Sequence, residues 1–330
     1  MSYTFKPLKI GDIKIDFPVV LAALAGYSDL PYRLICRSCG AEYCTTEAML
    51  DGQMLLAGKL RRRLVKLDDA DHPVAGQIMG NDPETMAKAA VVLREMGFDV
   101  IDLNFACPVR KVLSRRRGGF MMSKPAKVLD VIHAVRRAVP DRPVTIKVRR
   151  AFDEADMEYE EFWQIARGAF EAGVAAVAVH ARSVEQKYKG QADWNFLAGV
   201  KREFHDKTIL GSGDIHTADD ALRMLQQTGV DGVLAARGAI GNPWLFRQVQ
   251  DIAGDRLPYK PTVQEQCELI DRHFKMTCES YGPRRGPKIM RKFCIKYARM
   301  HPHPSKVRHA FINIKSQKEW QAAIDQYYSD

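Results

Sequence analysis

Gly97-Phe98-Asp99-Val100-Ile101-Asp102-Leu103-Asn104-Phe105-Ala106-Cys107-Pro108 decides how this 330-residue chain folds. The glycine ends a helix, and two residues later a short apolar run begins in which Val100, Ile101 and Leu103 read as a buried strand. Pro108 forbids the strand from continuing, because it has no N–H to give a neighbour. A cysteine is therefore held on the lip of a strand end, with Arg110 and Lys111 following. A thiol placed there is both positioned and reachable, whereas free cysteines are more usually buried and inert. The stretch alone leaves both readings of Cys107 open.

The same unit recurs at Gly173-Val174-Ala175 and Gly229-Val230-Asp231. Strand candidates run Phe17–Ala22, Glu42–Thr46, Val74–Met79, Asp99–Leu103, Val144–Val148, Ala175–His180, Thr208–Leu210 and Gly232–Ala235. Helical segments separate them. One follows from about Asp29 to Cys39, another opens at Asp82-Pro83-Glu84, and Glu158–Ala172, Trp194–Phe204 and Thr217–Gln227 carry helical spacing. Eight strands alternating with helices over about 250 residues is the count of a (β/α)8 TIM barrel, and α/β barrel is the expected class. A doubly wound open sheet is the rival. It is disfavoured because no Gly-x-Gly-x-x-Gly follows the first strand, and because polar residues recur at the ends of many strands.

The alternation stops at Leu257-Pro258-Tyr259-Lys260-Pro261, a proline-flanked linker. Beyond it, Thr262-Val263-Gln264-Glu265 and Ser316-Gln317-Lys318-Glu319 each match a capping box. The expected division is a catalytic barrel over 1–254 and an all-α helical bundle over 255–330. Charge separates the two. Of the 50 Lys and Arg residues, eleven fall between Arg284 and Lys318, a stretch without a single Asp or Glu. Positions 1 to 283 hold 39 basic and 37 acidic residues, so most of the net charge of +10 sits on the C-terminal segment. An acid-free basic segment attracts a polyanion more readily than it serves as a mere solvated face.

The seven cysteines have no regular spacing and indicate no disulfide framework. Cys36-x-x-Cys39 lacks a second pair at zinc-site spacing, so helical placement explains it and no structural metal is expected. No apolar run approaches the roughly 18–20 residues of a membrane span, and Met1 to Lys9 lacks the core of a signal peptide. A cytoplasmic monomer is the expectation.

Polar residues at the C-terminal ends of barrel strands line the active site in such folds. Those ends supply Gln77, then Asn104 with Cys107, then Lys147, then His180 with Arg182. Two glycine-containing loops follow, Gly211-Ser212-Gly213-Asp214 and Ala236-Arg237-Gly238, at the place where barrels bind phosphate. Taken singly, His180 reads as a hydrogen-bonded core histidine, Lys147 as an interior ion-pair partner and Gln77 as a backbone satisfier. Their joint placement beside a phosphate cradle points to a flat, phosphate-bearing cofactor, flavin mononucleotide (FMN) first.

The run Asp102 to Val112 strongly resembles the signature of the tRNA-dihydrouridine synthases. So do Ala25-Gly26-Tyr27-Ser28-Asp29-Leu30-Pro31-Tyr32-Arg33, Gly76-Gln77-Ile78-Met79-Gly80, Thr145-Ile146-Lys147-Val148-Arg149 and Val179-His180-Ala181-Arg182. Gly211 to Ile215 and Ala236 to Trp244 continue the likeness, which spans essentially the whole chain and is nearest to the bacterial B subgroup. The resemblance implies that Ala23, Leu24 and Ala25 lie against the flavin. Gln77 and Lys147 would bond its ring edge, with Asn104 and His180 nearby, and Arg182, Ser212, Gly213, Asp214, Ala236 and Arg237 would belong to the cofactor site. It implies Cys107 as the proton donor and NADPH as the reductant. This chain departs from the family pattern at Ala106 and Ser212, and at Arg116-Arg117-Gly118-Gly119 where small residues are usual.

Uracil suits that chemistry. Its C5=C6 bond is conjugated to the C4 carbonyl, so C6 accepts a hydride from flavin N5 and C5 then needs a proton. Cysteine, with a reference pKa near ~8.5, is a class of side chain that carries one at neutral pH. A uracil within folded tRNA must be turned out of its stack to reach the pocket. The phosphate contacts expected for this are Arg284, Arg285, Lys288, Arg291, Lys292, Lys296 and Arg299, with Arg115 and Arg116 (and Arg117) on the catalytic loop. Two other readings remain: a flavin barrel acting on a free small molecule, such as a dihydroorotate dehydrogenase or enoate reductase, and an RNA-binding protein without activity. The basic segment argues against the first, and the retained Cys107, Lys147 and His180 argue against the second.

Overall fold

A computed structural model describes residues 3–56, 58, 65–154 and 159–328. All eight expected strands are present. They are β3 (Val19–Leu21), β4 (Cys44–Thr45), β6 (Val74–Met79), β7 (Val100–Asn104), β8 (Val144–Arg149), β9 (Ala176–His180), β10 (Ile209–Ser212) and β11 (Gly232–Ala235). Every neighbouring pair runs parallel, and β4 pairs with both β3 and β6, which closes the sheet into a TIM barrel. A further short strand, β5 (Met49–Leu50), extends the line of β4 along β6.

The barrel interior follows from the period of two along each strand. Val100, Asp102 and Asn104 share one face of β7, while Ile101 and Leu103 face the helices outside. The same alternation holds for Thr145, Lys147 and Arg149 on β8, for Ala178 and His180 on β9, and for Leu210 and Ser212 on β10. The rows of β7, β9 and β10 start apolar at the N-terminal end and turn polar at the C-terminal end, while that of β8 is polar throughout. The apolar floor is sealed by a hairpin the sequence reading passed over as a leader: β1 (Leu8–Ile10) against β2 (Ile13–Ile15). Leu8, Ile10 and Ile15 pack there with Val20, Tyr43, Ala75, Val100 and Leu234. Its signal was present in Leu8-Lys9-Ile10-Gly11-Asp12-Ile13-Lys14-Ile15, an alternating pattern around a Gly-Asp turn.

The helices begin where capping chemistry places them. Asp29 caps α1 (Leu30–Ser38) by accepting from the Tyr32 N–H, α2 (Asp51–Met54) is one turn, and Asp82 caps α3 (Pro83–Glu95) from Thr85. The remaining barrel helices are α4 (Arg110–Leu113), α5 (Pro125–Ala138), α6 (Glu160–Glu171), α7 (Trp194–Glu203), α8 (Ala218–Thr228) and α9 (Leu245–Ala253). The expected start of α6 at Glu158 lies outside the described residues. Gly97, Gly173 and Gly229 all have positive φ, as the recurring glycine required.

After the linker come α10 (Val263–Tyr281), α11 (Gly286–Tyr297), α12 (Pro304–Ile312) and α13 (Gln317–Tyr327). Both expected capping boxes form, at Thr262 with Glu265 and at Ser316 with Glu319. These helices bury Phe274 stacked on Trp320 at 4.0 Å, with Phe311 at 5.4 Å from the same indole. Aromatic contact also joins them to the barrel. Phe293 on α11 lies 5.0 Å from Tyr32 and 5.3 Å from Tyr27, and Tyr281 Oη donates to Asp29 at 2.9 Å. Among the described residues no helix is long and apolar enough to cross a membrane.

Candidate active site

The parallel register sets Gln77 beside Asp102, Asn104 beside Lys147, and His180 beside both Arg149 and Ser212. Neighbouring strands thus deliver their polar ends to one mouth, and side-chain hydrogen bonds knit them together. Thr145 Oγ1 donates to Asp102 Oδ1 and Gln77 Nε2 donates to Asp102 Oδ2, both at 2.6 Å. Asn104 Nδ2 donates to Gln77 Oε1 at 2.6 Å. Asn104 Oδ1 accepts from the N–H groups of Ala106 and Cys107 at 3.0 and 3.1 Å. Burial pushes the Asp102 carboxyl up, against the bonds from Thr145 and Gln77 and the charge of Lys147. Burial likewise pushes the Lys147 ammonium down, with Asp102 opposing and Arg149 adding to the effect.

Cys107 is half-buried, on a loop fixed at several points. Its N–H is held by Asn104, and its carbonyl accepts from the Gly119 N–H at 2.9 Å. A Cβ at Gly119 would sit 3.0 Å from that carbonyl and 2.8 Å from Val184, so only glycine fits this closure. Arg149 fastens the next layer: Nε donates to the Ala106 carbonyl at 2.8 Å, and Nη1 to those of Ser183 and Lys187 at 2.8 and 2.9 Å. Burial lowers this guanidinium to about 10, which leaves it charged at neutral pH. Sequence reasoning assigned no role to Asp102, Thr145 or Arg149. The signal lay in the strand period, since all three share the interior face with residues it did assign.

His180 is buried and held neutral, its imidazole pushed well below the ordinary value by burial and by the charges of Arg149, Lys147, Arg182 and Arg237. Nδ1 contacts Ser212 Oγ at 3.2 Å, while Nε2 is buried without a partner among the described residues. Arg182 donates from Nη2 to both oxygens of Asp214 at 2.6 Å and to the Gly190 carbonyl at 2.6 Å, and its Nη1 is also buried without a partner. Two unpaired buried nitrogens beside a desolvated lysine fit a polar, phosphate-bearing ligand. Gly213, at φ +129°, passes so close to Ala192 that a Cβ would lie 2.6 Å from it.

Asp214 is held by the neighbouring loop. Its carboxylate is occupied by Arg182 and by the Ala192 N–H at 2.7 Å, with His216 and Arg237 each 3.7 Å away. Although burial pushes its carboxyl up, the Arg182 and Ala192 bonds bring it below the usual range, so it shapes the loop as an anion. Ala236 is half-buried at the same rim, and Arg237 extends over the exposed Tyr188 ring at 5.1 Å. Ala23 and Leu24 are half-buried and Ala25 exposed, in a turn held where Ser28 Oγ accepts from the Leu24 N–H at 2.9 Å.

The basic residues divide. Arg284, Arg285, Lys288 and Arg299 are exposed, and Arg291 and Lys296 half-buried. Lys292 is turned inward: its ammonium donates to the Gly26 carbonyl and lies 5.1 Å from the Tyr27 ring and 5.0 Å from that of Phe293. Its ammonium is thus engaged at the joint between the helices and the barrel. Arg115 and Arg116 are exposed on the catalytic loop, whereas Arg117 reaches the buried Asp51 at 3.6 Å. A surface pocket lined by Lys296, Arg299, Ser305 and Arg308 brings in Arg308, which the reading left out although it lies in the same acid-free stretch.

Comparison with known proteins places the whole assembly. The family model described as dihydrouridine synthase matches residues 20–330. A probable tRNA-dihydrouridine synthase of Mycobacterium tuberculosis is 34% identical over 329 residues, covering 96% of this chain and 84% of that protein. A tRNA-dihydrouridine synthase B of Pseudomonas aeruginosa is 32% identical over 326 residues, covering 98% and 96%. Among solved structures, 2-naphthoyl-CoA reductase shares the fold with a TM-score of 0.58 at 12% identity. That match covers 77% of this chain and about half, 52%, of the reductase.

Proposed function

The chain belongs to the dihydrouridine synthase family, and from that premise we propose that it reduces the C5=C6 bond of specific uridines in tRNA to 5,6-dihydrouridine. FMN, when bound, supplies the hydride from N5 to C6 of the uracil. The observation that carries the reading is the mouth itself. Two buried nitrogens, His180 Nε2 and Arg182 Nη1, await partners beside Lys147, and Cys107 stands on a pinned loop at the same rim.

In this reading Gln77, Asn104 and Lys147 hold the polar edge of the flat ring. His180 stays neutral, so it offers a hydrogen bond without adding charge. Arg182 and the backbone around Ser212, Gly213, Ala236 and Arg237 take the ribityl-phosphate end. Cys107 gives its proton to C5, with its position set by Asn104 below and Gly119 behind. Residues 1–254 act as the catalytic unit and 255–330 as the tRNA-holding unit, contacting phosphates through Arg284, Arg285, Lys288, Arg291, Lys296, Arg299 and Arg308. Arg115 and Arg116 approach the RNA from the other side of the mouth. NADPH would supply the reducing equivalents.

Nucleoside mass spectrometry of bulk RNA from a strain lacking the gene tests this. The dihydrouridine signal should fall, return with the intact gene, and stay low with Cys107→Ala, whose purified protein still binds FMN and oxidises NADPH. Removing a positioned general acid costs roughly 10²–10⁴-fold. Full restoration by Cys107→Ala would remove the assigned role.

A further inference from the structure

The hydrogen bonds at the barrel mouth have a direction that is fixed from both ends. Asp102, with its two oxygens receiving Thr145 Oγ1 and Gln77 Nε2, acts as an acceptor toward both. Gln77 must therefore turn its NH2 toward Asp102 and its oxygen toward Asn104. At the other end, backbone N–H groups of Ala106 and Cys107 can only donate, so Asn104 must turn its oxygen toward them and its NH2 toward Gln77. The two requirements meet at the 2.6 Å bond from Asn104 Nδ2 to Gln77 Oε1 and agree there. Neither amide can flip without placing donor against donor in a buried site, where an unsatisfied polar group is costly.

We propose that Asp102 is a positioning residue that orients the Gln77 and Asn104 amides, so that each turns its NH2 in a fixed direction and the backbone of Cys107 is held in one place. Asn104 Oδ1 is filled by two backbone N–H groups, and Gln77 Oε1 already accepts from Asn104. Each amide has one N–H left, and beside them stands the Lys147 ammonium, which only donates. Such a donor-rich floor favours a ligand edge made of carbonyl oxygens or unprotonated ring nitrogens. The C2 carbonyl and N1 side of an isoalloxazine ring has the favoured pattern. This ligand assignment rests on the flavin reading above; the amide orientation does not.

Three substitutions separate the claims. Asp102→Asn keeps an acceptor for Gln77, because the new amide turns its NH2 to Thr145 Oγ1, an oxygen able to accept. Asp102→Leu keeps the size and removes the acceptor. Asn104→Asp keeps the acceptor for Ala106 and Cys107 but replaces the floor's donor with an oxygen. In protein labelled with 15N at Asn and Gln side chains, the Gln77 and Asn104 amide protons should be slowly exchanging in the wild type and in Asp102→Asn, and fast in Asp102→Leu. That arm needs no flavin. FMN titration followed by flavin fluorescence should then give wild-type affinity within threefold for Asp102→Asn, and at least tenfold weaker binding for Asp102→Leu and Asn104→Asp. Should Asp102→Leu not fold, Asn104→Asp carries the affinity test. Equal amide exchange in Asp102→Leu and wild type, equal impairment of Asp102→Asn and Asp102→Leu, or wild-type FMN affinity in Asn104→Asp would each overturn the proposal. A wild type with protected amides and no FMN affinity would overturn the flavin reading and leave the relay standing.

Discussion

In the barrel mouth the charged side chains stand on neighbouring strands and are desolvated and locked from two sides. On α11 and its approaches they stand on a ridge, and among the described residues Arg284, Arg285, Lys288 and Arg299 make no ion pair. Lys147 and Lys292 bring the contrast to one residue type. Burial pushes both ammonium groups down, yet Lys147 faces a carboxylate inside the barrel and Lys292 a backbone carbonyl at the joint. The difference teaches where charge is structural and where it is available. Locked charge answers to substitution abruptly, through groups left buried without partners, whereas free charge answers gradually and with salt.

The largest break should come from Arg149→Met. It strands the buried carbonyls of Ala106 and Ser183 and the partly buried one of Lys187, which join the Cys107 loop to the loop after β9. A loss of about 2–4 kcal/mol is expected in urea unfolding, from buried acceptors left without a donor. Arg149→Lys should rescue little, because one ammonium cannot reproduce a planar fork over three acceptors. A loss under about 1 kcal/mol would place this residue with the free charges of α11 instead.

How much of this was legible follows from the same contrast. The strands, their order and the polar ends of the barrel followed from period two and from glycine and proline punctuation, which are local. The identity of the side chains that finish the mouth was half-visible: once Lys147 is placed inside, Thr145 and Arg149 must share its face. What no local pattern carries is contact across long sequence separation. Tyr27, Asp29 and Tyr32 entered only as members of the family-like run Ala25 to Arg33, yet they pack on Phe293, Tyr281 and His273, about 250 positions away. Lys292 shows the same limit, since a basic residue in an acid-free helix gives no sign of which cations turn inward.

That joint has its own pH signature. His273 is fully buried between Tyr32 and Phe293, with Nδ1 3.0 Å from Tyr297 Oη, and burial pushes its imidazole down to about 3. The folded protein keeps it neutral, while the unfolded chain protonates it near ~6.5. Between those values the unfolded state holds the extra proton. The contribution is therefore fully present above the unfolded value and is lost as pH falls, by about 2 kcal/mol at pH 5. Raised carboxyls such as Asp29 and Glu47 act with the opposite sign, so wild type must be compared with His273→Gln rather than read alone. The variant's stability should fall less between pH 7 and 5, and parallel profiles would mean that His273 protonates without unfolding the joint.

The smallest effect per residue belongs to the free cations, and it sharpens the comparison most. Each phosphate contact adds about 0.7–0.9 to the slope of log affinity against log salt. Arg284→Ala with Lys288→Ala should therefore lower the slope for tRNA by about 1.4–1.8, with no change in urea stability beyond about 0.5 kcal/mol. Lys292→Met, on the same helix and of the same charge, should do the reverse. Its ammonium is spent on Gly26 and two rings, so the slope should hold while the joint loses stability. A slope lowered equally by Lys292→Met would mean that this lysine leaves Gly26 for a phosphate when RNA docks. The turn holding Ala23 to Ser28 would then lose one of its anchors on binding, and the division between locked and free charge would itself depend on substrate.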